Sequence, residues 1–351
     1  MDEFKTPTSK KSKIKGTNNE ELNTPIKIPS SPFLKEIGYG CGVTLFKLER
    51  SPKVGFTRSP WAIKKRNRNI TDDTRYNSRI IFEANILKKL EHPNIVGFRA
   101  FTYGLNGDPC LAMEKLDISL GDLIEEKVDA GEPQFSAEKI LKISYEIVKG
   151  LEYLHHTAYI LHGDIKSYNI LISKDHNIVK ICDFGVSVPL NKSLEVDMKN
   201  GEFSYIGTRC WSAPEVINEE GPITNKADIW AYGLVLWEMI ALSPPHVENA
   251  DKSMSICTDN SMLECKSIDT SKENNDRNLN TEDSFIQSLK DPDDSNYGTR
   301  PPLPAINLGP EYDRVLEIFC ICTDTDFKTR PSAKGVISFF KYCVRDITDK
   351  I

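Results

Sequence analysis

Short apolar stretches set between turn residues open the patterned part of the chain, and residues 33–38, 43–49 and 60–65 read as strands. From about residue 75 to 90 the period becomes helical, with Ile80, Ile81, Ala84, Leu87 and Leu90 sharing one face. Strand character returns at 95–102 and 110–114. Beyond Leu116 helices dominate, at 119–127, about 136–156, 226–242, 311–322 and 332–344. Ser136 is a side-chain cap candidate for the second of these, and Pro331 precedes the last. A strand-rich first third followed by a helix-rich remainder predicts an α+β chain of two lobes with a cleft between them.

Two segments fall outside this pattern. Residues 1–32 are rich in Lys, Ser, Thr, Asn and Pro, with little to bury, and read as a disordered tail. Residues 247–299 carry 12 acids and 5 bases, net −7, and read as an acidic, disordered insert within the second lobe. The whole chain is only mildly acidic, at −6, so nucleic acid is not an expected partner. No apolar run approaches the roughly 18 residues of a membrane span, and no signal peptide is visible. The nine cysteines are scattered without a CxxC pair, which suits free thiols in the cytoplasm or nucleus and excludes a disulfide scaffold or zinc module.

Chemistry concentrates at a few places. Gly38-Tyr-Gly40-Cys-Gly42-Val43 joins two strands, where glycines let backbone N–H groups approach a phosphate, although an ordinary hairpin turn reads equally well. The third glycine also comes one position early for a GxGxxG pattern. Lys64 closes the strand Trp61-Ala62-Ile63-Lys64, and Glu83 on the inward side of the next helix is a partner that would keep it charged. The informative run is His162-Gly-Asp164-Ile-Lys166-Ser-Tyr-Asn169, followed after 14 residues by Asp183-Phe-Gly185. Phosphoryl transfer needs a carboxylate to orient the attacking hydroxyl, oxygen ligands for Mg²⁺ and cations for the moving phosphoryl group. Asp164, Asn169 and Asp183, with Lys166 and Lys64, supply these.

On these motifs the chain resembles the eukaryotic protein kinase family over roughly 33–345. Further matches are His92-Pro-Asn94, Gly207-Thr208, Ala213-Pro-Glu215, Asp228-Ile-Trp-Ala-Tyr-Gly233 and Arg330-Pro331. The resemblance implies a first lobe at 33–114, a hinge at 115–118, a second lobe at 119–345 and a tail at 346–351. It implies ATP beneath Gly38, Gly40, Gly42 and Val43, beside Ala62, with Lys64 and Glu83 at its phosphates. Met113 then corresponds to the gatekeeper, and the adenine lies against the Glu114–Leu116 backbone. Asn169 and Asp183 would hold Mg²⁺, Asp164 would orient the substrate hydroxyl and Lys166 would offset charge. Thr208 is expected near Asp164, Asp228 under the catalytic loop, and Arg330 paired with Glu215.

Two other readings compete with a protein kinase. His-Gly-Asp is also found in small-molecule kinases, but Lys166, Ala213-Pro-Glu215 and Asp228 belong to protein kinases. An irregular glycine loop suggests a pseudokinase scaffold, yet Lys64, Asp164, Asn169 and Asp183 are all present. Lys166 and Thr208 point to Ser/Thr substrates, while Trp211 leaves tyrosine open as a further acceptor. The resemblance is strongest to a mitogen-activated protein kinase kinase-like, mitotic branch. Gly163 replaces the arginine that binds a phosphorylated activation segment in many kinases, so weak dependence on that phosphorylation is expected. Thr6, Thr24 and Ser31 each precede a proline and are candidate sites for an upstream proline-directed kinase. PDZ-domain binding, a property of the branch, is in doubt because Asp349 stands two positions before the terminal Ile351.

Overall fold

The computed structural model describes residues 22, 24, 34–40, 42–50, 59–67, 74–104, 106–196, 207–246 and 296–348. The first lobe is an antiparallel sheet of β1 (Leu34–Gly40), β2 (Val43–Leu48), β3 (Trp61–Arg66), β4 (Phe98–Tyr103) and β5 (Pro109–Glu114). Its strand order is β1-β2-β3-β5-β4. Helix α1 (Thr74–Leu87) covers one face of the sheet, burying Ile80, Ala84 and Leu87 as the helical period requires. On the other face Leu48, Trp61, Ile63, Ala100 and Ala112 form a small separate core.

A short strand β6 (Ile118–Ser119) leads into α2 (Leu120–Asp129), whose N-cap is Ser119. Helix α3 (Ala137–Tyr153) starts at Ser136, whose hydroxyl accepts from Lys139 N, so this cap is where the sequence placed it. Its C-terminus continues as a wider turn, Leu154–Ala158, that ends at Tyr159 in the left-handed region (φ 56°). The loop strands β7 (Ile160–Leu161), β8 (Ile170–Ile172), β9 (Val179–Ile181) and β10 (Val188–Pro189) follow, and then α4 (Pro214–Ile217). Helix α5 (Lys226–Ala241) is buried on every side from Ala227 to Ile240 and is the axis of the second lobe. Helices α6 (Asp313–Cys322) and α7 (Ala333–Thr348) pack on α5 and α3 respectively.

Three boundaries differ from the sequence reading. Helix α7 runs to Thr348, past the expected end at 345, because no proline or glycine stops it. Helix α6 starts at Asp313, after a 3₁₀ turn at Pro310–Tyr312. Leu22 and Thr24, read as part of a disordered tail, are held by the first lobe. Leu22 is 4% exposed within the core that includes Ile80 and Phe101. Thr24 N and Oγ1 both donate to Phe101 O (2.8 and 3.0 Å), and Phe101 N donates back to Thr24 Oγ1 (3.3 Å). They cover a stretch of β4, the outermost strand of the sheet, whose backbone groups would otherwise lack protein partners. The acidic insert from 247 to 295 and the rest of 1–32 lie outside the described residues.

Leu22→Ala should therefore lower unfolding free energy by about 2–3 kcal/mol, as for other buried leucines. Chemical denaturation would read this, and an unchanged midpoint would show that the anchor carries no stability.

Candidate active site

Lys64, on the fourth residue of β3, faces into the cleft and is 7% exposed. Its ammonium lies 2.9 Å from Glu83 Oε2 on α1 and 2.9 Å from Asp183 Oδ1 at the mouth of β9. Burial works to lower the Lys64 pKa, but Asp183 and Glu83 together raise it well above the ordinary range. Burial pushes the Glu83 carboxyl up while Lys64 opposes it. Glu83 Oε1 also accepts from Phe184 N (3.3 Å), which ties α1 to the segment carrying Asp183.

Burial likewise opposes ionisation of Asp183, and the Lys64 charge outweighs it, bringing the carboxyl down to about 2. Asp183 is thus an anion at any physiological pH, and its side chain keeps 44% of its surface open to the cleft. Its backbone sits in the left-handed region (φ 65°), a strained placement for a non-glycine residue that is typical of functional positions. Asn169, in the turn before β8, donates through Nδ2 to Asp164 O (2.7 Å) and Oδ2 (3.0 Å), which leaves its amide oxygen as a ligand. Among the described residues no cluster of three His, Cys, Asp or Glu could hold a metal ion. One anionic carboxylate and one amide oxygen suit Mg²⁺, which takes few protein ligands and completes its shell with phosphates and water.

Asp164 is the most heavily bonded group of the site. Its Oδ1 accepts from Thr208 N (3.0 Å) and Thr208 Oγ1 (2.7 Å), and its Oδ2 lies 3.0 Å from Lys166 Nζ. Lys166 Nζ in turn donates to Thr208 Oγ1 (2.7 Å). The loop bearing these groups is held from below by Asp228 on α5, which accepts from His162 N (2.8 Å) and Gly163 N (3.0 Å) and contacts His155 Nε2 at 2.8 Å. His162 Nδ1 accepts from Asp164 N (3.2 Å) and its Nε2 is 3.0 Å from Cys182 O, the brace expected of it. Gly163 has φ 80°, a conformation that glycine adopts without strain. Burial pushes the Cys182 thiol up, away from the reactive thiolate.

The glycine loop accounts for its own irregular spacing. Gly42, not residue 43, has positive φ (72°), and a Cβ on it would lie 2.1 Å from the Tyr76 ring on α1. Gly38 and Gly40 end β1 with Val43 opening β2, and Ala62 pairs with Met113 across β3 and β5. The Glu114 side chain is turned into an ion network, bonding Gly97 N (3.1 Å) with Lys180 at 3.2 Å and Arg99 at 3.6 Å. That leaves the backbone of Glu114 to Leu116 for a ligand in the cleft. Arg330, 1% exposed, makes a two-pronged pair with Glu215 (2.8 and 2.6 Å).

This arrangement is matched by comparison with known proteins. Residues 34–339 fit the family model described as protein kinase domain. The chain belongs to the protein kinase family. It is 42% identical to human lymphokine-activated killer T-cell-originated protein kinase over 342 residues, covering 95% of this chain and 96% of that protein. It is 34% identical to probable serine/threonine-protein kinase drkC of Dictyostelium discoideum over 53% of this chain, and 38% identical to rat mitogen-activated protein kinase kinase kinase 12 over 48%. The kinase spans only 24% and 18% of the length of those two relatives.

Of the residues proposed from the sequence, Lys64, Glu83, Asp164, Lys166, Asn169, Asp183 and Thr208 converge on one cleft, with Asp228, Glu215 and Arg330 beneath it. Thr6, Ser31 and residues 349–351 lie outside the described residues. Thr24 is described, and its hydroxyl is engaged with Phe101. Sequence reasoning missed Ser167 and Glu238, whose contacts with Trp211 depend on pairing across more than 25 residues. The one signal was Trp211 itself, an unusual aromatic for its position.

Arg330→Met leaves Glu215 buried without its partner and should cost about 3–5 kcal/mol of stability. Adding Glu215→Leu should recover much of that loss in denaturant melts, whereas equal damage in both variants would contradict the pairing.

Proposed function

We propose that this kinase transfers the γ-phosphoryl group of ATP to serine and threonine of protein substrates. The single observation that carries the reading is the joined network Glu83–Lys64–Asp183 and Asp164–Thr208–Lys166, in which every charged group is held for a different part of one transfer. ATP would lie beneath the β1–β2 loop with its adenine at the hinge backbone. Lys64 would neutralise the phosphates, with Glu83 fixing the ammonium in place. Bound Mg²⁺, held by Asp183 and Asn169, would supply charge neutralisation on the phosphates. Asp164 would orient the acceptor hydroxyl and take its proton, while Lys166 offsets charge on the moving group. Lys166 and Thr208 support Ser/Thr over Tyr as acceptor, and the relatives named serine/threonine-protein kinases favour the same reading. The intact set Lys64, Asp164, Asn169 and Asp183 disfavours a pseudokinase.

The finer assignment rests on the resemblance to the human relative along nearly the whole chain. It comprises a mitogen-activated protein kinase kinase-like role in mitotic signalling, a cytoplasmic or nuclear location, and an upstream proline-directed kinase acting on Thr6, Thr24 or Ser31. Among the described residues no helix is long and apolar enough to cross a membrane.

The test is Mg²⁺-dependent transfer from labelled ATP to a Ser/Thr/Tyr peptide library. Lys64→Met and Asp164→Asn should each cut kcat by at least about 10²-fold, the scale of lost electrostatic or base catalysis. ATP binding without transfer by wild type would favour the scaffold reading. Gly163 has no side chain to hold a phosphate, so Ser193→Ala should keep activity within about twofold, the range of a surface change away from the site. Abolished transfer in that variant would refute independence from phosphorylation at this position.

A further inference from the structure

We propose that Glu238 is a positioning residue that fastens the substrate-docking end of the activation segment to the catalytic loop, a role that needs no phosphate. The inference rests on the kinase reading above and deepens it. Glu238 lies on the inner face of α5, 1% exposed. Both of its oxygens are used, Oε1 by Ser167 Oγ at 2.6 Å and Oε2 by Trp211 Nε1 at 2.8 Å. Ser167 directly follows Lys166 and opens the turn Ser167–Asn169. Trp211, 2% exposed, closes the turn Arg209–Trp211, two residues before Ala213-Pro-Glu215. One carboxylate on the most rigid helix of the molecule therefore holds both segments at once.

Both routes away from Glu238 reach Asp164. Trp211 N donates to Thr208 O (3.0 Å), and Ser212 Oγ donates to the same oxygen (3.1 Å). Thr208 then holds Asp164 through its backbone and its hydroxyl. On the other side, Ser167 sets the residue beside Lys166, which donates to Thr208. A shift of Trp211 or Ser167 would thus move the groups that orient the acceptor hydroxyl.

Burying a carboxylate here is costly, and an apolar residue would pack α5 better. Burial pushes the Glu238 carboxyl up to about 8, against the pull of Ser167, Trp211 and Lys166. Elsewhere the segment has other anchors, Arg330 on Glu215 and Lys166 on Thr208, but neither grips the turn between them. Gly163 offers no side chain there, so Glu238 is the polar group from the body of the lobe that reaches this turn.

The experiment measures kcat, KM for peptide, KM for ATP and thermal melting in full-length Trp211→Phe, Ser167→Ala, Glu238→Gln and Glu238→Ala, beside wild type and Asp164→Asn. Trp211→Phe removes one N–H and keeps an aromatic ring, so it should fold even if Glu238→Ala does not. We expect kcat to fall about tenfold or more in Trp211→Phe, with KM for ATP unchanged within twofold, because misplacing reacting groups is costly. Glu238→Gln, which keeps shape and one acceptor, should retain more activity than Glu238→Ala. Combining Trp211→Phe with Glu238→Gln should cost little beyond the worse single change. Lower melting temperatures with wild-type kcat and KM in the folded variants would reduce Glu238 to a structural role and overturn the proposal. Wild-type kinetics in all clamp variants, with Asp164→Asn inactive, would overturn it while leaving the kinase reading intact. Wild type no better than Asp164→Asn would sink both.

Discussion

Asp228 has no access to water, yet its carboxylate is charged, because His155 and the backbone N–H groups of His162 and Gly163 all point at it. Burial alone would raise its pKa, and these partners bring it below the ordinary value. The geometry of the cleft follows from that one group. With His162 and Gly163 fixed to α5, the next residue, Asp164, has its position set by the backbone and its oxygens free to organise Thr208, Lys166 and Asn169. The helix supplying Asp228 is itself apolar around its whole circumference, so the anchor sits in the least deformable part of the lobe.

Backbone strain is distributed unevenly around this anchor. At Gly163 the left-handed φ costs nothing because there is no Cβ, while at Asp183 a similar angle (φ 65°) is imposed on a full side chain. The second case persists because Lys64 holds Asp183 Oδ1 and Glu83 holds Phe184 N, so the surrounding contacts outweigh the strain. Lys64 thereby couples three elements at once, β3, α1 and the segment after β9. Moving α1 outward would free Asp183 as well as Glu83, since all three charges share one buried junction.

The lobes are also linked behind the cleft. Glu114 gathers Arg99 from β4 and Lys180 from β9 around a single carboxylate beside the hinge. These pairs are partly exposed, so each contributes little to stability. Their effect is to turn the Glu114 side chain away from the nucleotide side, and it is this orientation that leaves the hinge backbone available.

Much of this kinase was legible in its sequence, for physical reasons that can be named. Helical and strand periods located α1, α3 and α5, because each buries one face or all faces of a regular element. The residues at Lys64, Asp164, Asn169 and Asp183 could be read because transfer chemistry demands particular side chains at short, fixed spacings. Tertiary structure decided what spacing does not encode. The early glycine at 42 became intelligible only when Tyr76 was found against it. Leu22 and Thr24 lie in a polar stretch with no period of their own, and the exposed edge of β4 gives them their place. The Ser167–Glu238–Trp211 junction joins residues separated by 71 and 27 positions. Local pattern fixes which elements form, since it reflects backbone periodicity. Which polar groups meet inside them depends on how the helices and loops pack, and only the folded chain brings those partners within hydrogen-bonding distance.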